Sequence, residues 1–526
     1  MTTTLLQSPL RSPLQRALSS PLARRFTTAG ITWDFAATVK PLAATGFRRG
    51  SAGLATLIDE SGDVVYGDHN LQRNSENLSG AGWSTNAVSV SSGPVPPSPY
   101  ATSSTVTGNG ANDVHWVLGE GATGPKRARY VVKAGTHSFV QILWSGASGI
   151  YANFDLTNGV LGVVTTSAQD IIALGSGWYE IYAETSSTST GTPFLLLAGS
   201  ASAGWYIPDV VSGTIHVTGA QSAAIPSSLT YVPTTSAEVY LPRYTYHPTT
   251  HAALGLLIEP QVTQLYHSHS LASPALVTQN TTVTAQPYTM QFVGSGTVTL
   301  SGAHTATVVG LGAGLTKTLT FTPSAGTLTS TPSGTCDYPQ LEAGSVATSY
   351  IPNATSGSLV RTSDGNWDIT GSDFTQLWGS GSERTIVVEW YDTGTALEHG
   401  LVMGHVGGSV ANEAIGLYVN TSNALIYYAK AGGAAQATLT AGTIVAGTLA
   451  APGRNKAAFR FGAGAFGVSL NGAAEVTGTG TIPTVTDLRV AGAALVAANP
   501  HHDILKALGS RPTAITGAAL QALSAL

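Results

Sequence analysis

The residues with the clearest chemical potential in this chain are aromatic. Trp83, Trp116, Trp144, Trp178, Trp205 and Tyr206 lie in its first half, and Tyr427 and Tyr428 stand side by side further on. Aromatic faces stack against sugar rings while nearby amides or carboxylates take the hydroxyls. Most tryptophans of a β sandwich are core, so polarity of the neighbours narrows the field. Trp116 follows Asn112-Asp113 and His115, and Trp205-Tyr206 follows Gly204. Adjacent Tyr427 and Tyr428 would face opposite sides of a strand, so one should meet solvent or an interface. The candidate glycan contacts are therefore Trp116, Trp205, Tyr206, Tyr427 and Tyr428.

Other reactive residues offer less. His267 and His269 have the spacing of a metal pair on one strand face, but no Cys or carboxylate lies beside them. His501-His502-Asp503 reads as a polar turn. Asp364, Asp368 and Asp373 gather where a calcium ion could bind, yet no Asp-x-Asp-x-Asp loop is present. No metal ligand set and no cofactor is expected, calcium being the one ion the acids could serve. Glycan hydrolysis needs two poised carboxylates, and the 28 acids are scattered. There is no Gly-x-Ser-x-Gly, no phosphate-cradling loop and no His-Glu-x-x-His. Cys336 has no activating partner. No catalytic residue is assigned, and the chain reads as a binder rather than an enzyme.

Composition says what must carry these residues. Only 10% of the 526 residues are charged, whereas 43% are hydrophobic. Disordered chains show the opposite balance. Thr, Ser, Gly and Ala fill the gap, which favours half-buried pleated surfaces joined by turns. The length suggests about three or four domains. A net charge of −5 and a pI near 6.2, with no basic stripe, give no reason to expect nucleic acid. A single cysteine excludes an internal disulfide framework and suits assembly in a reducing cytoplasm. No apolar run is long enough to span a membrane, and the basic N-terminus lacks the apolar core of a secretory signal.

Two stretches repeat. Residues 221–236 read QSAAIPSSLTYVPTTS and residues 340–356 read QLEAGSVATSYIPNATS, with Gln221, Ala224, Tyr231 and Pro233 matching Gln340, Ala343, Tyr350 and Pro352. A repeat of this kind marks a modular chain. Residues 1–30 form a basic arm with Ser-Pro-Leu at 8–10, 12–14 and 20–22. Its prolines favour extended geometry. Leu10, Leu14, Leu22 and Phe26 would plug a partner surface, with Arg11, Arg16, Arg24 and Arg25 as clamps. A connector follows over 31–66. Aromatic and alternating runs at 129–132, 139–144, 150–154 and 178–182, separated by turn signals, predict a sandwich or jelly roll over 67–246. A shorter β module spans 247–370, opening with the compact strand at 255–259. The third covers 371–526, with a type I′ turn at Asn471-Gly472 and a short closing helix capped by Thr516, lined by Leu520, Leu523 and Leu526. The expected fold is all-β: tandem jelly-roll or β-sandwich modules, an extended N-terminal arm and a short C-terminal helix.

Several motifs carry a family resemblance. Asn70-Leu71-Gln72-Arg73-Asn74-Ser75-Glu76 with Gly82-Trp83 resembles the NLLxxSE…W opening of a module common in phage fibre and spike proteins. Phe154-Asp155-Leu156-Thr157-Asn158-Gly159 resembles its FDLxTG hairpin. Gly177-Trp178-Tyr179 resembles its GWYR strand, although Glu180 stands where a basic residue is usual. Gln340-Leu341-Glu342-Ala343-Gly344 with Thr348-Ser349-Tyr350-Ile351-Pro352 resembles the QLExG…TSYIPT ending, and 255–261 resembles the link between units. Over roughly 60–370 this implies carbohydrate-binding-like jelly-roll modules of tail fibres and gene-transfer-agent head spikes. Residues 371–526 resemble a laminin-G or concanavalin-like sandwich. The resemblance implies a structural virion protein of tail-fibre or spike type, assembled in the host bacterial cytoplasm. It would display lectin-like modules to host surface polysaccharide, with its arm on capsid, vertex or tail proteins and a homo-oligomer, taken as a trimer. A capsid head fibre or decoration protein is the alternative, and a polysaccharide depolymerase the enzymatic one.

Overall fold

The computed structural model describes residues 24–27, 30–34, 55–121, 124–146, 148–187, 191–228, 230–364, 367–379, 382–394, 398–448, 451–492 and 503–526. Among them are 42 strands and two eight-residue helices, Gly371–Trp378 and Gly517–Ser524, so the chain is all-β. No helix among the described residues is long and apolar enough to cross a membrane.

The first module packs two six-stranded antiparallel sheets. One runs Val160–Val164, Tyr151–Asp155, Phe139–Trp144, Pro193–Leu197, Trp116–Leu118, Ser84–Asn86. The other runs Ala168–Gly175, Trp178–Thr185, Lys126–Ala134, Thr214–Ala224, Ser104–Gly108, Val88–Ser92. Strands close in sequence often sit in opposite sheets, as in a jelly roll. Alternate residues point into one core: Val140, Ile142 and Trp144 from the first sheet meet Ala128, Tyr130 and Val132 from the second. Trp144 is thus buried, whereas Trp178 is buried in a separate cluster with Tyr100 and Val131. Glu180, in the slot where the resemblance has a basic residue, pairs with Arg129 at 2.6 Å, and Arg129 lies over the rings of Tyr100 and Tyr231. Asp155 holds the FDLTNG hairpin, its Oδ1 accepting the N–H groups of Thr157 and Asn158.

The second set of strands forms a four-stranded and a three-stranded sheet around Met290, Phe292, Val298, Leu300, Leu328 and Leu341. The repeated stretches close these two modules by the same hydrogen bonds. Gln221 Oε1 accepts the Val232 N–H at 3.1 Å, and Gln340 Oε1 accepts the Ile351 N–H at 2.8 Å. A second correspondence, invisible in the letters, answers them. Asn70 Oδ1 accepts the N–H groups of Gln72 and Ser222 while its amide donates to Val232 O. Gln264 Oε1 accepts those of Tyr266 and Leu341 while its amide donates to Pro339 O. Ser75 Oγ and His269 Nδ1 then share hydrogen bonds with the hydroxyls of Tyr231 and Tyr350, at 2.7 and 2.6 Å. Nδ1 of His269 is therefore part of a buried buckle.

The third sandwich sets a six-stranded sheet against a nine-stranded one. Its core joins Ile386, Val388 and Trp390 to Leu417, Tyr427 and Phe459. The Asn471-Gly472 turn has both residues at positive φ (49° and 77°), as a type I′ hairpin requires. Thr516 makes no side-chain cap. Instead Gly517 N–H donates to Glu475 Oε2 at 2.6 Å. Leu520 and Ser524 face inward, whereas Leu526 lies past the helix end and is exposed, so the expected three-leucine stripe is cut short.

The nine-stranded sheet recruits strands from elsewhere in the chain. Asp503–Arg511 pairs along one edge with Ala253–Ile258, through Leu256↔Leu505 and Ile258↔Asp503. Further along the same edge it pairs with Gly30–Asp34, through Ile31↔Ser510 and Asp34↔Ala507. Gly30–Asp34 is itself in a hairpin with Arg24–Thr27. Arg24, Arg25 and Phe26 are therefore strand residues that extend a sheet, not a lone extended arm. An unpaired strand row is satisfied this way. Leu10, Arg11, Leu14, Arg16 and Leu22 lie outside the described residues.

A buried charge cluster ties these parts together. Arg243, between the first two modules, reaches Thr56 O at 2.7 Å, Ser349 Oγ at 2.8 Å, Glu259 at 2.7 Å and Asp364. Arg361 reaches Glu259 at 2.5 Å and Ser349 Oγ at 2.9 Å. Burial opposes the Arg243 charge, but Asp364 and Glu259 outweigh it and hold the guanidinium above its usual range.

Candidate functional site

The outer face of the first module's first sheet is the site the fold assembles. On a sheet with water on one side, Phe139–Trp144 would alternate buried and exposed. Here Val140 to Trp144 are all buried. The cover is a loop running from 198 to 208. Gln141 anchors it, its Nε2 donating to Gly204 O at 3.0 Å and its Oε1 accepting the Tyr206 N–H at 3.2 Å. Asn153 anchors its start, donating to Ala203 O at 2.7 Å. Gln141 Nε2 also donates to Asn153 Oδ1 at 2.7 Å, so the two amides lock each other's orientation.

This brings three of the candidates onto one apolar patch. Trp116, Trp205 and Tyr206 pack with Tyr151 around Leu143, Phe194 and Leu196. Strand register explains Trp116: it sits opposite Leu196, which has Gln141 as its partner on the other side. Its ring meets Phe194 edge-on at 5.3 Å, Tyr206 meets Phe194 at 5.9 Å, and Trp205 leans on Tyr206 at 5.5 Å. All three are half-buried. Tyr206 adopts a left-handed backbone, φ 53°, a conformation that is uncommon for an aromatic residue. The Nε1–H groups of Trp116 and Trp205 are shielded and have no acceptor among the described residues. Beside the patch the exposed ribbon Asn112–Asp113 pairs with Asp209–Val210, setting Asp113 opposite Asp209. Exposed Ile207 and Val210 continue the apolar surface. An aromatic shelf with a carboxylate and amide rim can stack one face of a sugar ring and take its hydroxyls.

Tyr427 is a correction. It is fully buried against Phe459 and Phe466, and its hydroxyl donates to Arg460 O at 3.1 Å. Burial holds that phenol well above its usual range. Tyr428, on the other side of the strand, is half-buried and stands apart from the shelf. The three acids marked for calcium do not converge: Asp364 serves Arg243, while Asp368 meets Arg489 at 2.8 Å and His405 at 3.3 Å. Burial acts to raise the Asp368 carboxyl, but hydrogen bonds from His405 and Arg489 hold it well below the usual range. Burial pushes the Cys336 thiol up, away from a reactive thiolate.

Sequence reasoning missed Phe194, Tyr151, Gln141 and Asn153, which build the shelf. One signal was present: the 139–144 run has no polar alternation apart from Gln141, so its outer face had to be covered. It also missed a cavity of about 390 Å³ lined by Thr56, Tyr246, Leu254, Thr318, Tyr350 and Thr393, which joins segments from all modules.

No family model and no curated protein matches the chain. Some solved structures do. The Ruminococcus gnavus IT-sialidase CBM40 bound to α2,3-sialyllactose aligns at 14% identity over 31% of this chain and 92% of its own, with a TM-score of 0.27. Mouse laminin α1 domains LG4–5 align at 10% identity over 89% and 92%, with a TM-score of 0.21. Trypanosoma rangeli sialidase aligns at 8% over 83% and 52%, also with 0.21. At such scores these likenesses add nothing to the geometry above.

Proposed function

We propose that this chain is a glycan-binding display protein, its first module taking a sugar ring on the shelf of Trp116, Trp205 and Tyr206. One observation carries the reading: the covering loop is locked by Gln141 and Asn153 so that two half-exposed rings stand beside a third, next to a polar rim. Preorganised aromatic contact of this kind lowers the ordering cost of weak binding, and several copies would raise it by avidity. The motifs at 70–83, 154–159, 177–179 and 340–352 support a finer reading, a fibre- or spike-type component of a phage virion that adheres to host surface polysaccharide.

The test is binding of the purified chain to an array of bacterial surface polysaccharides. Trp205→Ala should weaken the best binder roughly tenfold, since stacking contributes ~1.4 kcal/mol, and Tyr428→Ala should leave it unchanged. Equal binding by Trp205→Ala, or no binding anywhere on the array, overturns the reading. New reducing ends in the incubated polysaccharide would replace binding with hydrolysis.

A further inference from the structure

We infer that Asp392, His399 and Asp503 form a buried site for a small divalent transition-metal ion, zinc first, that fastens the two sheets of the third sandwich. Asp392 ends the strand Arg384–Asp392, and Asp503 begins Asp503–Arg511. The two residues are directly opposite in the antiparallel register. His399 begins His399–Val406, which belongs to the other sheet. All three residues are 1% exposed, and one donor atom from each lies within 4.8 Å of the others.

The physical difficulty is the pair of aspartates. Like charges directly opposite on a strand pair destabilise it, and the cost rises when both are taken from water. Arg454 and Lys506, on the strands that flank Arg384–Asp392, both pair with Glu389. Among the described residues Asp392 makes no ion pair with lysine or arginine. Its Oδ1 accepts the Gly447 N–H at 3.0 Å, while its Oδ2 is shielded and has no partner among them. A divalent cation removes the conflict, because two carboxylates cancel its charge and the imidazole adds a neutral donor. The spacing suits it: His399 Nε2 lies 3.2 Å from Asp503 Oδ2, and tetrahedral zinc with bonds of about 2.0–2.1 Å sets its donors about 3.3 Å apart. A donor set of one nitrogen and two oxygens favours zinc or manganese over calcium, which takes six to eight oxygens.

The full-length chain should be dialysed against zinc and then against metal-free buffer, and its metal content measured. About one zinc per chain is expected, with Asp392→Asn and His399→Gln each reducing it below about a fifth. A chelator should lower the thermal transition of the wild type by ~5 °C and leave the variants' transitions where they are. Cobalt substitution of the wild type gives an independent readout, the visible absorption of a low-symmetry site, should either variant fail to fold. Absence of bound zinc and of a cobalt band overturns the inference, as does wild-type zinc retention by a folded Asp392→Asn variant.

Discussion

Arg243→Met is the most demanding test of how the modules are joined. The guanidinium is completely buried and serves four groups from distant parts of the chain: Thr56 O, Ser349 Oγ, Glu259 and Asp364. Methionine keeps much of the volume but removes the charge. Glu259 retains Arg361, whereas Asp364 loses the guanidinium it faces. Breaking a buried ion pair by removing one partner costs ~3–5 kcal/mol, because the remaining charge stays buried. The abandoned Thr56 carbonyl adds ~1 kcal/mol or more. The terms overlap, so about 4 kcal/mol in total is expected. In urea unfolding followed by tryptophan fluorescence this lowers the first transition, and on heating it amounts to a fall of roughly 10 °C. Pairing Arg243→Met with Asp364→Leu removes that buried carboxylate as well and should recover part of the loss. A single-variant loss below about 1 kcal/mol would refute the reasoning, since it would mean that water reaches the cluster or that the cluster bears no load.

Two further outcomes follow from the same structure. Burial pushes His269 down to about 4, against about 6.5 in an unfolded chain. Below the unfolded value the unfolded state binds the extra proton, so folded stability is complete near pH 7 and falls by ~3 kcal/mol as pH drops towards 4. Urea unfolding at pH 7 and 4.5 should show this slope in the wild type and a flatter one in His269→Gln; identical slopes would discard the assignment. Gly219 sits in the long Thr214–Ala224 strand at φ 57°, and a Cβ there would stand 2.5 Å from the Tyr100 ring. Gly219→Ala should therefore cost about 2 kcal/mol or more, while Gly175→Ala, at φ 89° with no neighbour in reach, should cost only the backbone strain of ~1 kcal/mol. Equal thermal shifts for the two would show that the Tyr100 contact contributes nothing.

The spacing of residues along the chain already contained the all-β architecture, the Asn471-Gly472 hairpin and the Gln221/Gln340 repeat. Each rests on φ/ψ preference or on the period-two alternation of a strand, and both act between neighbours. It also contained Trp116, Trp205 and Tyr206 as candidates, though not the reason they belong together. That reason lies in Phe194 and in the two amides, Gln141 and Asn153, which draw the loop across the sheet. Tyr427 and Tyr428 show the limit of alternation. It says that they face opposite sides, and only the packing of Phe459 and Phe466 says which side is the core. The equivalence of Ser75 with His269, the sharing of one strand edge by residues 30–34 and 253–258, and the convergence of Asp392, His399 and Asp503 leave no trace in local pattern. They are choices of partner for buried polar groups, and such a group is satisfied by whichever segment the finished fold brings to it, however far away in the chain that segment begins.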